Sequence, residues 1–291
     1  MKKSREKTDR FIILSGFIGA LTFLLAIAVS GALYPGYNHV SMVISELGAS
    51  DSPVHLIMNI FGFGLLGVLT ALFALGVYRS PELHIAGKFS SIFFFITGIL
   101  MILVAISPTY TDIGIYAPDD LHQLAVIWQF PVLTIALLLF AFDAWQNKKL
   151  RILAPVILAV GAITLILGYN YLAVWPPPIP VGIIQRLTIG LAYALVAAIS
   201  IMLYKVQFNT PLKKILLGAA VIVIISLAVA LPQQLEINDS HANQPTLRGL
   251  CYGLEECNQY CQNRYGTCSQ ICQQEPENQL CGRIAVLRTG G

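Results

Sequence analysis

The sequence predicts an all-α fold: a polytopic bundle of seven transmembrane helices, followed by a small disulfide-stapled helical hairpin outside the membrane. Three observations predict it. Apolar residues make up 56% of the 291 and charged residues 11%, against roughly 25% charged in an average soluble protein. Seven windows are apolar over the length a bilayer demands, about 20 residues at 1.5 Å each. All six cysteines fall after the last of these windows. The net charge of +3 identifies no partner by itself, and no nucleic-acid partner is expected.

The windows lie near residues 11–33, 54–78, 88–107, 122–145, 152–175, 183–204 and 213–231. With no water in the hydrocarbon core, each must satisfy its own backbone as a helix. Ser52-Pro53 opens the second window and Thr210-Pro211 the seventh, each a cap followed by proline in the first turn. Pro176-Pro177-Pro178 stops the fifth and Pro232 the seventh. The membrane unit is therefore residues 1–231, a polar linker covers 232–250, and the tail is 251–291. Glycines 62, 64 and 67 in the second window, and 161 and 168 in the fifth, are candidate close-packing points.

Orientation follows from the lysines and arginines. With the N-terminus in the cytoplasm, inner segments hold Lys2, Lys3, Arg5, Lys7, Arg10, Arg79, Lys88, Lys148, Lys149, Arg151, Lys205, Lys213 and Lys214, while outer loops 34–53, 108–121 and 176–182 hold none. That alternation is the positive-inside pattern and puts the C-terminus outside the cytoplasm, in the cell membrane as the expected location. A cleaved signal peptide ending near Ser30-Gly31-Ala32 is the competing reading of the first window, whose apolar run exceeds the roughly 7–15 residues of a signal core.

Cysteines 251, 257, 261, 268, 272 and 281 read as a disulfide framework on an oxidising side. Cys257 with Cys261, and Cys268 with Cys272, each share one helix face. Two short helices about Tyr265-Gly266 favour pairing Cys257–Cys272 and Cys261–Cys268, leaving Cys251–Cys281, among 15 pairings open to six cysteines. Zinc is the competing reading of that spacing. Asn238-Asp239-Ser240 is a candidate glycan acceptor on the same side.

The polar residues of the membrane unit gather at the outer face. The first outer loop reads as a turn and a short helix, with Asn38 as its cap, Gly48 as its end, and Val40, Val43, Ile44 and Leu47 as an apolar stripe. His39 and Glu46 then share a second face, with Ser45 alongside. Asp119 or Asp120 caps the fourth span, with His122 in its first turn as a candidate proton acceptor. Arg186 lies inside the sixth span, where a cation is costly and faces a cavity or a partner. An ion pair with Glu46 or an outer aspartate is expected. Asn59 and Asn170 add hydrogen-bonding groups, and Asp143 is expected to pair with inner lysines. No Walker loop, dinucleotide glycine pattern, His-Glu-x-x-His or Gly-x-Ser-x-Gly occurs.

Residues Tyr34–Pro53, with Tyr-Pro-Gly-Tyr and then Ile-Ser-Glu-Leu-Gly-Ala, resemble the first-loop signature of the domain of unknown function 998 family. Leu121-His122 and Gly182-Ile183-Ile184-Gln185-Arg186 are similar to that family's pattern as well. The resemblance covers residues 11–205 and implies a polytopic unit of six helices with no established activity. The seventh helix and the tail are additions to it.

Two functional readings follow, with a third beside them. One is a binding protein whose outer pocket, formed by Glu46, His122 and Arg186 with His39, Asp120 and Gln185 as further ligand-binding residues, takes a lipid headgroup or small anion. Its partners are membrane lipids, with a protein partner for the tail. The other is a membrane-embedded hydrolase or lipid-modifying transferase, with His122 as base or metal ligand, Ser45 or a water as nucleophile, and Glu46 or Asp120 orienting it. A proton-coupled transporter is the third, disfavoured by the few carboxylates deep in the spans. No metal site or cofactor is specified.

Overall fold

The computed structural model describes residues 2–108, 121–173 and 180–209. The predicted seventh span, the linker, the cysteine-rich tail with its disulfides, and Asp112, Asp119 and Asp120 lie outside the described residues. Among the described residues all regular structure is helical: α1 (Lys2–Leu33), α2 (Ile44–Leu47), α3 (His55–Arg79), α4 (Ile85–Ile106), α5 (Leu121–Gln146), α6 (Leu153–Ala173) and α7 (Val181–Phe208). Five of these, α1, α3, α4, α5 and α7, are long and apolar enough to cross a bilayer. The sixth, α6, follows the predicted fifth window.

The ends of these helices carry their own chemistry. Ser52 Oγ accepts from the Val54 amide at 3.3 Å and donates to the Leu47 carbonyl at 3.0 Å, turning the chain into α3. The start of α4 has no local cap. It borrows Asp143 from α5, whose carboxylate accepts from the His84 amide at 3.0 Å and the Gly87 amide at 2.8 Å. A Cβ on Gly87 would sit 3.0 Å from that carboxyl carbon, so glycine makes room for the cap. Asp143 is thus a helix cap, with His84 rather than a lysine as its ionisable neighbour, 3.5 Å away.

Each long helix packs on the one before it in sequence, and α7 returns to α1. The result is a ring of six helices. Gly67 and Gly98 mark the tightest crossing, where a Cβ on either would lie 2.7 Å from the other's carbonyl oxygen. Gly161, by contrast, faces open space. Inside the ring Phe23 meets Phe63 and Tyr193 at centroid distances of 5.9 and 6.0 Å, and Phe73 meets Phe94 at 5.4 Å. Gln129 donates to the Tyr193 hydroxyl at 3.2 Å, tying α5 to α7.

One helix changes its winding, and another takes a side-chain hydroxyl against its backbone. Residues Met58–Gly64 within α3 form a π-helical segment. In α1, the Ser200 hydroxyl of α7 accepts from the Phe17 amide at 3.1 Å and donates to the Ile13 carbonyl at 2.6 Å. It thereby stands between a donor and acceptor four residues apart in the α1 ladder.

The distribution of polarity is inverted relative to a soluble protein. Thr70, Ser90, Thr97, Gln129, Thr188 and Ser200 are buried, while Leu24, Phe61, Phe95, Trp128, Phe142 and Ile166 are exposed. Water would penalise so much exposed hydrocarbon on each long helix, whereas acyl chains solvate it. The chain is an integral membrane protein.

Candidate functional site

The first outer loop is built around a buried tyrosine. Gly36 adopts φ of 77°, a left-handed conformation that glycine takes without a Cβ clash. The turn it makes lets the Tyr37 amide reach the Tyr34 carbonyl at 3.1 Å and sends the Tyr37 side chain inward, where it is fully buried. Tyr34 stacks on Tyr37 at 5.7 Å, and the His39 ring meets Tyr37 edge-on at 5.0 Å and 89°. Asn38 Oδ1 accepts from the amides of Val40 and Ser41 at 2.8 and 3.3 Å. That closes a local turn rather than starting a helix, so the helix expected from Asn38 onward is confined to α2.

α2 is held at both ends. The Val43 amide donates to Glu46 Oε1 at 3.2 Å, and the Val43 carbonyl accepts from the Tyr37 hydroxyl at 2.9 Å. Gln185 Oε1 accepts from the Ile44 amide, and its Nε2 lies 3.4 Å from Ser45 Oγ. At the far end Asn59, from the π-helical segment, donates to the Gly48 carbonyl at 2.8 Å. Val43, Ile44 and Leu47 are buried as the apolar stripe predicts, but Val40 is 47% exposed because it precedes the helix.

Arg186 is the centre of the arrangement. Its Nη1 donates to the carbonyls of Met42 at 2.8 Å and Gly182 at 2.9 Å, and its Nη2 donates to the Tyr37 hydroxyl. The ion pairs among the described residues join other groups: Arg10 with Glu6, Arg79 with Asp9, His84 with Asp143 and Lys149 with Glu82. Among the described residues, neutral oxygens rather than Glu46 accept from this guanidinium, while the outer aspartates Asp112, Asp119 and Asp120 lie outside them. Its Nε is buried without a hydrogen-bond partner among the described residues. Gly182 allows the close approach, since a Cβ there would lie 2.5, 2.6 and 2.7 Å from the carbonyl oxygens of Met42, Val40 and His39.

The environment shifts two groups of this loop. Burial, and then the Arg186 charge, lowers the His39 imidazole to about 4. Burial raises the Tyr37 phenol, with Arg186 opposing that shift and Glu46 adding to it. The His39 ring rests against the bare face of Gly31 on α1.

Of the residues singled out in the sequence, the structure brings His39, Ser45, Glu46, Gln185 and Arg186 to this one loop–helix junction. His122 is buried, and its Nδ1 lies 2.9 Å from the Ser107 carbonyl at the end of α4. Asp120 lies outside the described residues. Tyr37, Met42 and Gly182 join the site without having been singled out, although the Tyr-Pro-Gly-Tyr and Gly-Ile-Ile-Gln-Arg stretches contain two of them.

Chemically, the junction presents a fixed positive charge near the N-terminal end of α7, where the helix dipole is also positive. Both favour negative charge. The oxygens that accept from Arg186 among the described residues are carbonyls and one phenol, while the Glu46 carboxylate of the same junction accepts from the Val43 amide.

A family model described as "Protein of unknown function (DUF998)" matches residues 17–202. No curated protein and no solved structure matches the chain.

Proposed function

The chain belongs to the DUF998 family of proteins of unknown function, and from that premise we propose that it is a membrane protein recognising an anionic lipid headgroup at the junction of its first outer loop with α7. The observation that carries this reading is Arg186, a cation beside a helix N-terminus whose Nε–H has no partner among the described residues. A phosphate oxygen accepts from such a group with a charge-assisted bond, stronger than a carbonyl's. Gln185 and Ser45 add polar groups beside it.

The distribution of basic residues supports an orientation with this junction outside the cytoplasm, the N-terminus inside and the cysteine-rich tail on the junction's side. The tail then offers a protein-binding surface stapled by disulfides. The enzyme reading finds less support. Ser45 faces the Gln185 amide, which cannot take its proton, and Glu46 accepts from a backbone amide.

The reading is tested by identifying lipids that co-purify with wild-type protein and with Arg186→Gln. Anionic phospholipid enriched on the wild type and depleted on the variant supports it. Equal lipid content on both overturns it.

A further inference from the structure

His39 occupies a position with consequences for the site. Its backbone carbonyl lies over Gly182 on α7, its ring lies against Gly31 on α1, and the ring edge meets Tyr37. Tyr37 in turn accepts from Arg186 and donates to the Val43 carbonyl at the start of α2. His39 therefore sits between two helices, its imidazole on α1 and its backbone carbonyl on α7, and the ring props the tyrosine that occupies the guanidinium.

We propose that His39 is a proton-operated latch: its neutral form holds Tyr37 on Arg186, and its protonated form releases the loop and frees the guanidinium for an anion. The regulatory part rests on the anion-binding reading, whereas the opening of the loop does not.

The groups facing His39 from each packed element support this. α1 presents Gly31, which offers no counter-charge, and the loop itself presents Tyr37 with Tyr34 stacked behind it. α7 presents Gly182 and the cation Arg186, whose field acts on the imidazole. The carboxylate of α2, Glu46, acts on Tyr37 and accepts from the Val43 amide. A second positive charge at His39 thus meets a like charge and a glycine wall. Detachment restores water to the ring and an ordinary affinity for protons near 6.5.

The magnitude follows from linkage. With the closed-state imidazole at about 4 and the open state at about 6.5, the opening equilibrium grows about 30-fold between pH 7.5 and pH 5.0. A bound anion would compete with Tyr37 for Arg186, so acid and anion act in the same direction.

The test is hydrogen exchange of the full-length protein in lipid nanodiscs without added anion, followed on the peptide spanning residues 36–47 and corrected for intrinsic exchange. The expected result is protection falling about 30-fold from pH 7.5 to 5.0 in the wild type, and pH-independent protection in His39→Gln. Protection unchanged by pH in the wild type, or an equal fall in the variant, overturns the latch. Should His39→Gln not fold, titration of the wild-type His39 ring by NMR decides: a midpoint between about 4 and 6.5 at which the amides of residues 36–47 change together with the ring supports the latch, and a midpoint at about 6.5, or a ring that protonates while those amides stay unmoved, overturns it. Adding inorganic phosphate at each pH separates the two ideas. Opening in acid without phosphate binding keeps the latch and removes the anion reading.

Discussion

The guanidinium carbon of Arg186 lies 5.6 Å from the centre of the Tyr37 ring, and its Nη2 donates to that ring's hydroxyl. Helix α7 and the first outer loop are joined by this pair and by the neighbouring bond from the Ile44 amide to Gln185. Tyr37→Phe removes one donor and one acceptor from a buried cluster, leaving the Val43 carbonyl and part of the guanidinium unpaired. It is expected to cost about 2 kcal/mol, read as a lowered unfolding midpoint in micelles. Arg186→Lys keeps the charge but loses the fork, and a similar loss is expected. Wild-type stability in both variants would contradict the description of the junction.

Gly182 and Gly190 make a controlled pair on the same helix. A methyl at Gly182 meets three backbone oxygens that cannot swing aside, whereas nothing lies within 4 Å of a Cβ at Gly190. Gly182→Ala is expected to displace the loop and destabilise by about 1–3 kcal/mol. Gly190→Ala is expected to be neutral or to stabilise by about 0.5 kcal/mol. The comparison of their unfolding midpoints checks the loop–helix contact, and equal effects would contradict it.

At the other end of the bundle, Asp143→Ala leaves the His84 and Gly87 amides without their acceptor. The expected cost is about 2–3 kcal/mol, with faster amide exchange confined to the first turn of α4. Asp143→Asn retains an acceptor oxygen and is expected to lose about half as much.

Acid has a defined sign at His39. The folded protein holds this imidazole at about 4, below the ordinary value near 6.5, so the unfolded chain takes up the proton first. The stability it contributes is complete above about pH 6.5 and is lost as pH falls from there toward 4. Allowing for the ring's partial exposure, about 1–2 kcal/mol is expected to disappear over that window. Unfolding midpoints of wild type and His39→Gln, measured at pH 7.5 and 4.5, check it: the variant's pH dependence should be smaller by this amount.

The helices were largely legible in the sequence because crossing a bilayer imposes length and apolarity together. The predicted fifth window became α6, whereas Ser52 does not cap α3: that helix begins at His55 behind Val54, which makes no side-chain cap, and Ser52-Pro53 lies in the turn before it. The π-helical segment was not legible, since Met58–Gly64 is equally apolar in either winding and its extra residue leaves no compositional trace. Asp143 is structural, as its position suggests, but its amide partners were not legible in place of lysines, because every residue type except proline offers a backbone N–H. The same reason hid the surroundings of Arg186. A search for carboxylates points to Glu46, but a loop folded tightly around Gly36 and over Gly182 brings carbonyl oxygens instead. Residue types announced that a polar junction existed, whereas the backbone path decided what filled it.

The most direct test follows the Arg186 Nε–H resonance by NMR in nanodiscs while inorganic phosphate, and then an anionic phospholipid, is titrated. The account predicts a saturable shift of that resonance, larger at pH 5.0 than at pH 7.5 and absent with a zwitterionic phospholipid alone. An Nε–H resonance unmoved by either anion at both pH values would contradict it.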